Sequence, residues 1–244
     1  MRNVLVTGGS RGLGLEITRR LATEGYRAVA VARSLTDQLG AAVDRANAAC
    51  PGSLHFVPFD LSHIEEIPNL VKKVRKDVGP IYGLVNNAAL GSDGALSMMA
   101  TSKIEHLIRV NTLSPIILTK HVVRHMMAAG EGRIVNVASI VAFTGYSGLS
   151  VYSATKASLM GFTRSLAREV GRVGVNVNAI APGFMETEMI QGLPIEHREK
   201  VVRRSALRRL ARVEDVAEAV SFLLGAKAHN ITGTVLTIDA GATA

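Results

Sequence analysis

Short β-branched runs alternate with longer helix-period stretches along the whole chain, and this rhythm constrains the fold more than any other feature. Strand-like runs fall near residues 3–7, 27–32, 54–59, 81–86, 133–138, 175–180 and 234–239. Helix-period stretches lie between them, near 12–24, 36–49, 64–78, 101–129, 150–172 and 213–225. Strand, helix and strand in succession build right-handed βαβ units and a parallel sheet. Val4-Leu5-Val6 and Ile134-Val135-Asn136-Val137 are apolar toward both faces, which suits a sheet covered by helices on both sides. The expected fold is α/β, a Rossmann-like, doubly wound parallel sheet of seven strands in one domain spanning 1–244. No Pro/Ser-rich linker, repeat or low-complexity segment divides it. Residues 183–212 break the rhythm as a long insertion, and we read them as a lid over the site.

Composition narrows the class. A chain of 244 residues buries enough surface to fold without disulfides or a structural metal, and Cys50 has no second cysteine to pair with. The apolar runs are broken well before the roughly 18 residues that a spanning helix needs, so no membrane segment is expected. The apolar run at Val4 leaves no room for a charged leader, a hydrophobic signal core and a cleavage site. The expected compartment is the cytoplasm, with an organelle matrix open if a leader has been removed. The net charge is +8, and six of those eight excess charges lie in one segment. Arg198, Lys200, Arg203, Arg204, Arg208, Arg209 and Arg212 face only Glu199. Nucleic acid is not the expected partner, because no aromatic stacking platform or recognition motif accompanies the charge.

After the first strand comes Thr7-Gly8-Gly9-Ser10-Arg11-Gly12-Leu13-Gly14, leading into a helical stretch. A strand, a glycine-rich turn and a helix N-terminus make an anion site: free N–H groups face a phosphate, and missing Cβ atoms let it approach. Gly8, Ser10, Arg11, Gly12, Leu13 and Gly14 are therefore candidate cofactor contacts. Gly8-Gly9-Ser10-Arg11-Gly12 also satisfies G-x-S-x-G, the elbow of serine hydrolases, but that elbow needs central strands and an oxyanion loop before it. Only seven residues precede Gly8. The second strand ends at Arg33, where a carboxylate would otherwise chelate the ribose of NAD. A guanidinium there can pair with a 2′-phosphate, and Arg11 can add a second charge, so NADP(H) is the expected cofactor. The plainer alternative is a pair of solvated surface arginines.

Tyr152 and Lys156 stand at i and i+4 near the start of a long helix, so both project from one face. An ammonium beside a phenol is expected to lower the phenol toward neutrality, as acid or base work on a carbonyl requires. Ser139 closes the fifth strand, thirteen residues before Tyr152.

With these residues in place the whole chain resembles the short-chain dehydrogenase/reductase family, and within it the 3-oxoacyl-[acyl-carrier-protein] reductases. The matching residues are Thr7-Gly8-x-x-x-Gly12-x-Gly14, Asp60, Asn86-Asn87-Ala88-Ala89, Asn111, Ser139, Tyr152-x-x-x-Lys156, Pro182-Gly183 with Thr187, and Ile231-Thr232-Gly233. The resemblance implies that Tyr152 protonates a carbonyl oxygen, Ser139 holds it, Lys156 tunes Tyr152 and binds the nicotinamide ribose, and Asn111 positions a water for proton resupply. It also implies that Asp60 binds the adenine amino group, Asn87 packs beneath the cofactor, and Thr187 contacts the carboxamide or phosphates. Leu61, Ala88, Ala89, Pro182 and Gly183 complete the implied cofactor contacts. Singly, Asp60 reads equally as a helix cap, Ser139 as a strand-end hydroxyl and Asn111 as a satisfied helix amide. Two residues depart from the family pattern: Ala89 and Ala240 each stand where glycine is usual.

The implied substrate is a 3-oxoacyl thioester of acyl carrier protein or CoA, as in fatty-acid synthesis, with another carbonyl or alcohol (sugar, steroid, quinone or small ketone) open on the same apparatus, while the retained Tyr152 and Lys156 argue against a non-catalytic nucleotide-sensing protein. The basic run 198–212 reads either as a landing site for an acidic carrier or CoA phosphates, or as a solvated helix face with subunit salt bridges. Arg133, Arg164, Arg168 and Arg172 are candidates to extend it. His121 and His125 also stand at i and i+4, but without a H-E-x-x-H pattern or third ligand they read as a surface pair, and no metal is expected. The family builds dimers and tetramers on the helices that correspond to 101–129 and 150–172, so a homotetramer or dimer is implied.

Overall fold

A computed structural model describes residues 1–91, 94–186 and 195–244. Its strands are β1 Asn3–Thr7, β2 Arg27–Ala32, β3 Leu54–Pro58, β4 Ile81–Asn86, β5 Gly132–Val137, β6 Val175–Pro182 and β7 Val235–Ile238. They form a seven-stranded sheet in the order β3-β2-β1-β4-β5-β6-β7, parallel throughout, as expected. The order reverses between β1 and β4, which opens a crevice at the carboxyl ends of those strands. The helices are α1 Gly12–Thr23, α2 Asp37–Ala49, α3 Ile67–Asp77, α4 Thr101–Ile108, α5 Ser114–Ala129, α6 Val141–Thr144, α7 Ser150–Val170, α8 Ile195–Arg204 and α9 Val213–Leu224.

The period of two along each strand divides the core. Leu5, Val29, Leu84, Ile134 and Val177 pack with Leu70 of α3, Val122 of α5 and Leu166 of α7. Their neighbours Val4, Val6, Val85 and Val135 turn to the other face, against Ile17 and Leu21 of α1 and Val216 and Val220 of α9. All five residues of β1 are buried, so the strand that carries the glycine turn is held from both sides. Among the described residues no helix is long and apolar enough to cross a membrane.

The largest departure from the sequence reading lies in residues 101–129. They form two helices, α4 and α5, joined through a π-helical turn at Arg109–Leu113 that contains Asn111. The cause is Pro115. In an unbroken helix the Asn111 carbonyl would accept from the N–H of residue 115, and proline has none. A wider turn accommodates the lost bond. Smaller departures are at ends: a 3-10 turn at Ile64–Glu66 precedes α3, and β6 runs on to Pro182.

Of the insertion at 183–212, residues 187–194 lie outside the described residues; its two ends meet each other, and its second half meets the end of the chain. Met185 bridges Ala211 in parallel. Beyond α8, Ser205 Oγ donates to Ala240 O at 2.7 Å, and Leu207 N donates to the same carbonyl at 3.0 Å. Ala240 thereby adopts φ +56, a left-handed conformation in which its Cβ is strained. The glycine that the family pattern favours there fits without strain. Ala240→Gly is therefore expected to stabilise the protein by about 0.5–1 kcal/mol, because relief of strain exceeds the added chain entropy. In thermal unfolding this reads as a rise of about 1–4 °C. A lowered midpoint would show that the strain is absent.

Candidate active site

The glycine turn is built from what its glycines leave out. Gly8, at φ +69, places its N–H on Val31 O at 2.8 Å. A Cβ on Gly14 would stand 2.1 Å from Gly8 O, so the turn closes only without one. At Gly12, φ is +52 and nothing lies within 4 Å of where a Cβ would be, so the start of α1 is open there. Thr7 ties the turn to the next strand: its hydroxyl donates to Val85 O at 3.2 Å and accepts from Asn87 N and Ala88 N at 3.0 Å each. Asn87 returns the bond, donating Nδ2 to Thr7 O at 2.9 Å. Its amide is engaged in holding the turn, a structural duty beside the expected position beneath a cofactor. Leu13 is buried against the α1–α9 core, while Ala89 is exposed after β4.

Thr36 fastens the loop after β2 to the same turn. Its hydroxyl donates to Ser10 O at 2.7 Å and also caps α2 by accepting from Leu39 N at 3.2 Å. Arg33 lies on that loop, exposed, and Arg11 is exposed at the mouth of the turn. At the end of β3, the Ser62 N–H donates to Asp60 Oδ1 at 2.8 Å and holds the carboxyl below its usual range, with a smaller contribution from the Arg33 charge. Asp60 thus acts as a local cap and also faces the arginine. Leu61 beside it is partly buried against the α3–α5 core.

Tyr152 and Lys156 share a face of α7, as their spacing predicts. Lys156 is buried, 3% exposed, and its Nζ donates to Val137 O at 2.7 Å, which leaves two N–H donors. The same Nζ stands 5.8 Å from the centre of the Tyr152 ring. The Tyr152 hydroxyl has no hydrogen-bond partner among the described residues. Its pKa runs opposite to the sequence expectation: burial pushes Tyr152 up to about 12 and Lys156 down to about 8. No hydrogen bond joins the ammonium to the phenol, and desolvation governs both groups. A phenol in that range is fully protonated at neutral pH and can act as an acid.

Ser139 lies two residues past β5, and its Oγ accepts a long bond of 3.4 Å from Val141 N. Its own proton is thereby left to donate. Ile140 N donates to Pro182 O at 3.0 Å and Gly183 N to Ile238 O at 2.9 Å, which joins the ends of β5, β6 and β7. A Cβ on Gly183 would meet Asp239 Cβ at 2.7 Å. Asn111, 1% exposed, accepts from Leu90 N at 2.8 Å and donates to Leu90 O at 2.9 Å and Thr155 Oγ1 at 3.2 Å. Both amide donors are engaged, so its side chain holds structure and does not offer a donor to water. Thr187 lies outside the described residues.

Sequence reasoning named Asn86 only as part of a motif and passed over the buried polar network it forms with Thr119, Asn136 and Thr163. Asn86 donates to Asn136 Oδ1 at 2.8 Å and Thr119 Oγ1 at 3.0 Å, and Asn136 donates to Thr163 Oγ1 at 2.8 Å. That chain crosses β4 and β5 from α5 to α7. The available signal was an asparagine inside each of two apolar strands. Arg133 does not extend the basic run; it lies over the Tyr82 ring at 5.9 Å, at the opposite ends of the strands. In the run itself, Arg203 pairs with Glu199 at 3.2 Å and Arg209 with Asp215 at 3.5 Å. His125 Nε2 accepts from Arg75 at 3.1 Å, and among the described residues no group of three His, Cys, Asp or Glu could hold a metal.

Comparison with known proteins agrees with this geometry. The family model for short chain dehydrogenases matches residues 2–197. A human 3-oxoacyl-[acyl-carrier-protein] reductase is 38% identical over 97% of this chain and 95% of its own length. The reductase of the same description from Escherichia coli strain K12 is 36% identical at the same coverage. A solved short chain dehydrogenase from Burkholderia cenocepacia J2315, in complex with NADP, superposes with a TM-score of 0.91 at 32% identity, covering 100% of this chain and 98% of that one. A family model matching most of the chain and relatives of this kind over nearly its full length, on a fold with a glycine turn after β1, assign it to the short-chain dehydrogenase family of oxidoreductases.

Proposed function

We propose that this chain is an NADPH-dependent reductase of 3-oxoacyl thioesters, carried on acyl carrier protein or CoA, giving the 3-hydroxyacyl thioester of fatty-acid synthesis. The observation that carries the reading is geometric: the Tyr152 phenol stands one helical turn from a buried lysine, Lys156, whose Nζ reaches the end of β5 at Val137 O. The residues fit NADPH. Gly12 leaves open space at the start of α1 for phosphates, and the loop after β2 presents Arg33 where a carboxylate would favour NAD. When bound, NADPH supplies the hydride. The Tyr152 hydroxyl gives its proton to the carbonyl oxygen, and Ser139 Oγ donates to the same oxygen and fixes its position. Lys156 has two donors left for ribose hydroxyls and keeps the floor of the site in place through Val137 O. Asp60, lowered and ionised, is an acceptor for the adenine amino group.

The name shared by the human and Escherichia coli relatives supports the thioester substrate. The exposed arginines at 203, 204, 208, 209 and 212 support docking of an acidic carrier on this part of the insertion. An apolar groove of about 470 Å³ between α4 and α7, lined by Ile104, Ile108, Val151 and Ala154, supports assembly into a homotetramer or dimer; a cytoplasmic location is part of the same proposal.

The test follows NADPH loss with acetoacetyl-CoA and with an acetoacetyl carrier protein, NADH being run in parallel. Turnover is expected to prefer NADPH, with a lower KM for the carrier-bound substrate that rises with salt. Arg33→Ala is expected to raise the KM for NADPH about tenfold or more and leave NADH little changed, since a charge-assisted bond to the 2′-phosphate is lost. Silence with both thioesters, alongside turnover of other carbonyls, would overturn the substrate and keep the reductase.

A further inference from the structure

The π turn at Arg109–Leu113 is stapled to α7 at two points. Asn111 Nδ2 donates to Thr155 Oγ1 at 3.2 Å, and Thr155 Oγ1 donates to Tyr152 O at 2.7 Å. One helical turn on, the Thr112 and Ser158 hydroxyls lie 3.1 Å apart, and Ser158 Oγ donates to Thr155 O at 2.7 Å. The first line is buried, with Asn111 1% and Thr155 2% exposed, and it continues through Asn111 to both backbone groups of Leu90. It therefore runs unbroken from the loop after β4, through the π turn, to the backbone of Tyr152. The second line joins the same turn to the same helix without touching the Asn111 amide.

We propose that Thr155 is a positioning residue of the reductase: its hydroxyl couples the Asn111 amide to the Tyr152 backbone and so sets the register between the π turn and the catalytic turn of α7. The physical reason lies in what fixes Asn111 itself. Pro115 removes the helical partner of the Asn111 carbonyl, so the ordinary helix ladder does not fix this residue. Its side chain does so instead, with three hydrogen bonds, of which the one to Thr155 alone reaches α7. Without the Thr155 hydroxyl one buried amide donor loses its acceptor, and the turn shifts or admits water to satisfy it. Tyr152 then no longer stands reproducibly where its proton meets the carbonyl oxygen, and a small misplacement is enough to slow a positioned proton transfer.

This inference rests on the proposed role of Tyr152, and the experiment separates the two. Thr155→Val and Thr155→Ala remove the hydroxyl, Thr155→Ser keeps it, and Ser158→Ala cuts only the second line. The first readout needs neither cofactor nor substrate: hydrogen-exchange protection of the Asn111 side-chain amide by NMR. Protection is expected to fall at least tenfold in Thr155→Val and Thr155→Ala and to hold in Thr155→Ser and Ser158→Ala. In turnover, the hydroxyl-free variants are expected to lose about tenfold in kcat with both KM values within about twofold, while Thr155→Ser stays within about twofold of wild type. Unchanged amide protection overturns the coupling. Equal kcat losses in Thr155→Ser and Thr155→Val, or an equal loss in Ser158→Ala, overturn the specific role in favour of general packing. A wild type that reduces no carbonyl would sink the reading of the site, and the amide protection would then decide the coupling by itself.

Discussion

Tyr152→Phe is expected to lower kcat for carbonyl reduction by about 10³-fold, with the KM for NADPH within about twofold of wild type. Removing a positioned general acid costs on the order of 10²–10⁴ in rate. Ser139 donates a hydrogen bond but cannot give up its proton at neutral pH, so it supports only the residual rate. The fold is expected to tolerate the change. The Tyr152 hydroxyl has no partner among the described residues, so its loss leaves no orphaned donor or acceptor, and the thermal midpoint should move by no more than a degree or two. The pH dependence follows from the direction of the shift. Burial pushes the phenol up to about 12, so it stays protonated across the neutral range and its own titration does not limit reduction there. A variant that kept a tenth or more of wild-type kcat would show that the proton comes from elsewhere.

The residues that speak in the sequence are those whose backbone demands are extreme. Gly8 and Gly12 announce positive φ and an open turn, and the strand before and helix after them locate it. Tyr152 and Lys156 are legible because a helix converts a spacing of four into a shared face. The degree of burial is not legible in the same way. The sequence suggests an ammonium beside a phenol, but only the packed structure shows Nζ drawn to Val137 O and both groups desolvated, which reverses the direction for Tyr152. The break at Asn111 was within reach: Pro115 stands four residues on, inside a stretch whose apolar period masks it. The supporting polar network was not. Thr36, Thr155 and Asn86 act through tertiary partners 26 to 50 positions away, and no local pattern encodes such a pairing.

Lys156→Met should separate stability from activity most sharply. Burial holds the lysine down to about 8 from an ordinary 10.5, so the folded protein binds that proton more weakly than the unfolded chain does. Above pH 10.5 neither state carries it and burial costs nothing. As pH falls from 10.5 toward 8 the unfolded chain gains the proton first, and the penalty grows. Below pH 8 both states hold it, and the penalty is constant at about 3 kcal/mol. Methionine has nearly the same reach and no charge to desolvate, but it gives nothing to Val137 O, which offsets about 1 kcal/mol. The variant is therefore expected to be more stable than wild type by about 2 kcal/mol at pH 7, a rise of about 4–8 °C. The gain should shrink as pH rises and reverse above about pH 10. Turnover should move the other way, falling about 10²-fold or more, because the donors for the ribose and the support under Tyr152 are lost together. A midpoint that falls at pH 7 would show that Lys156 is not held as a desolvated cation, whereas a stabilised and still active variant would remove it from the reaction.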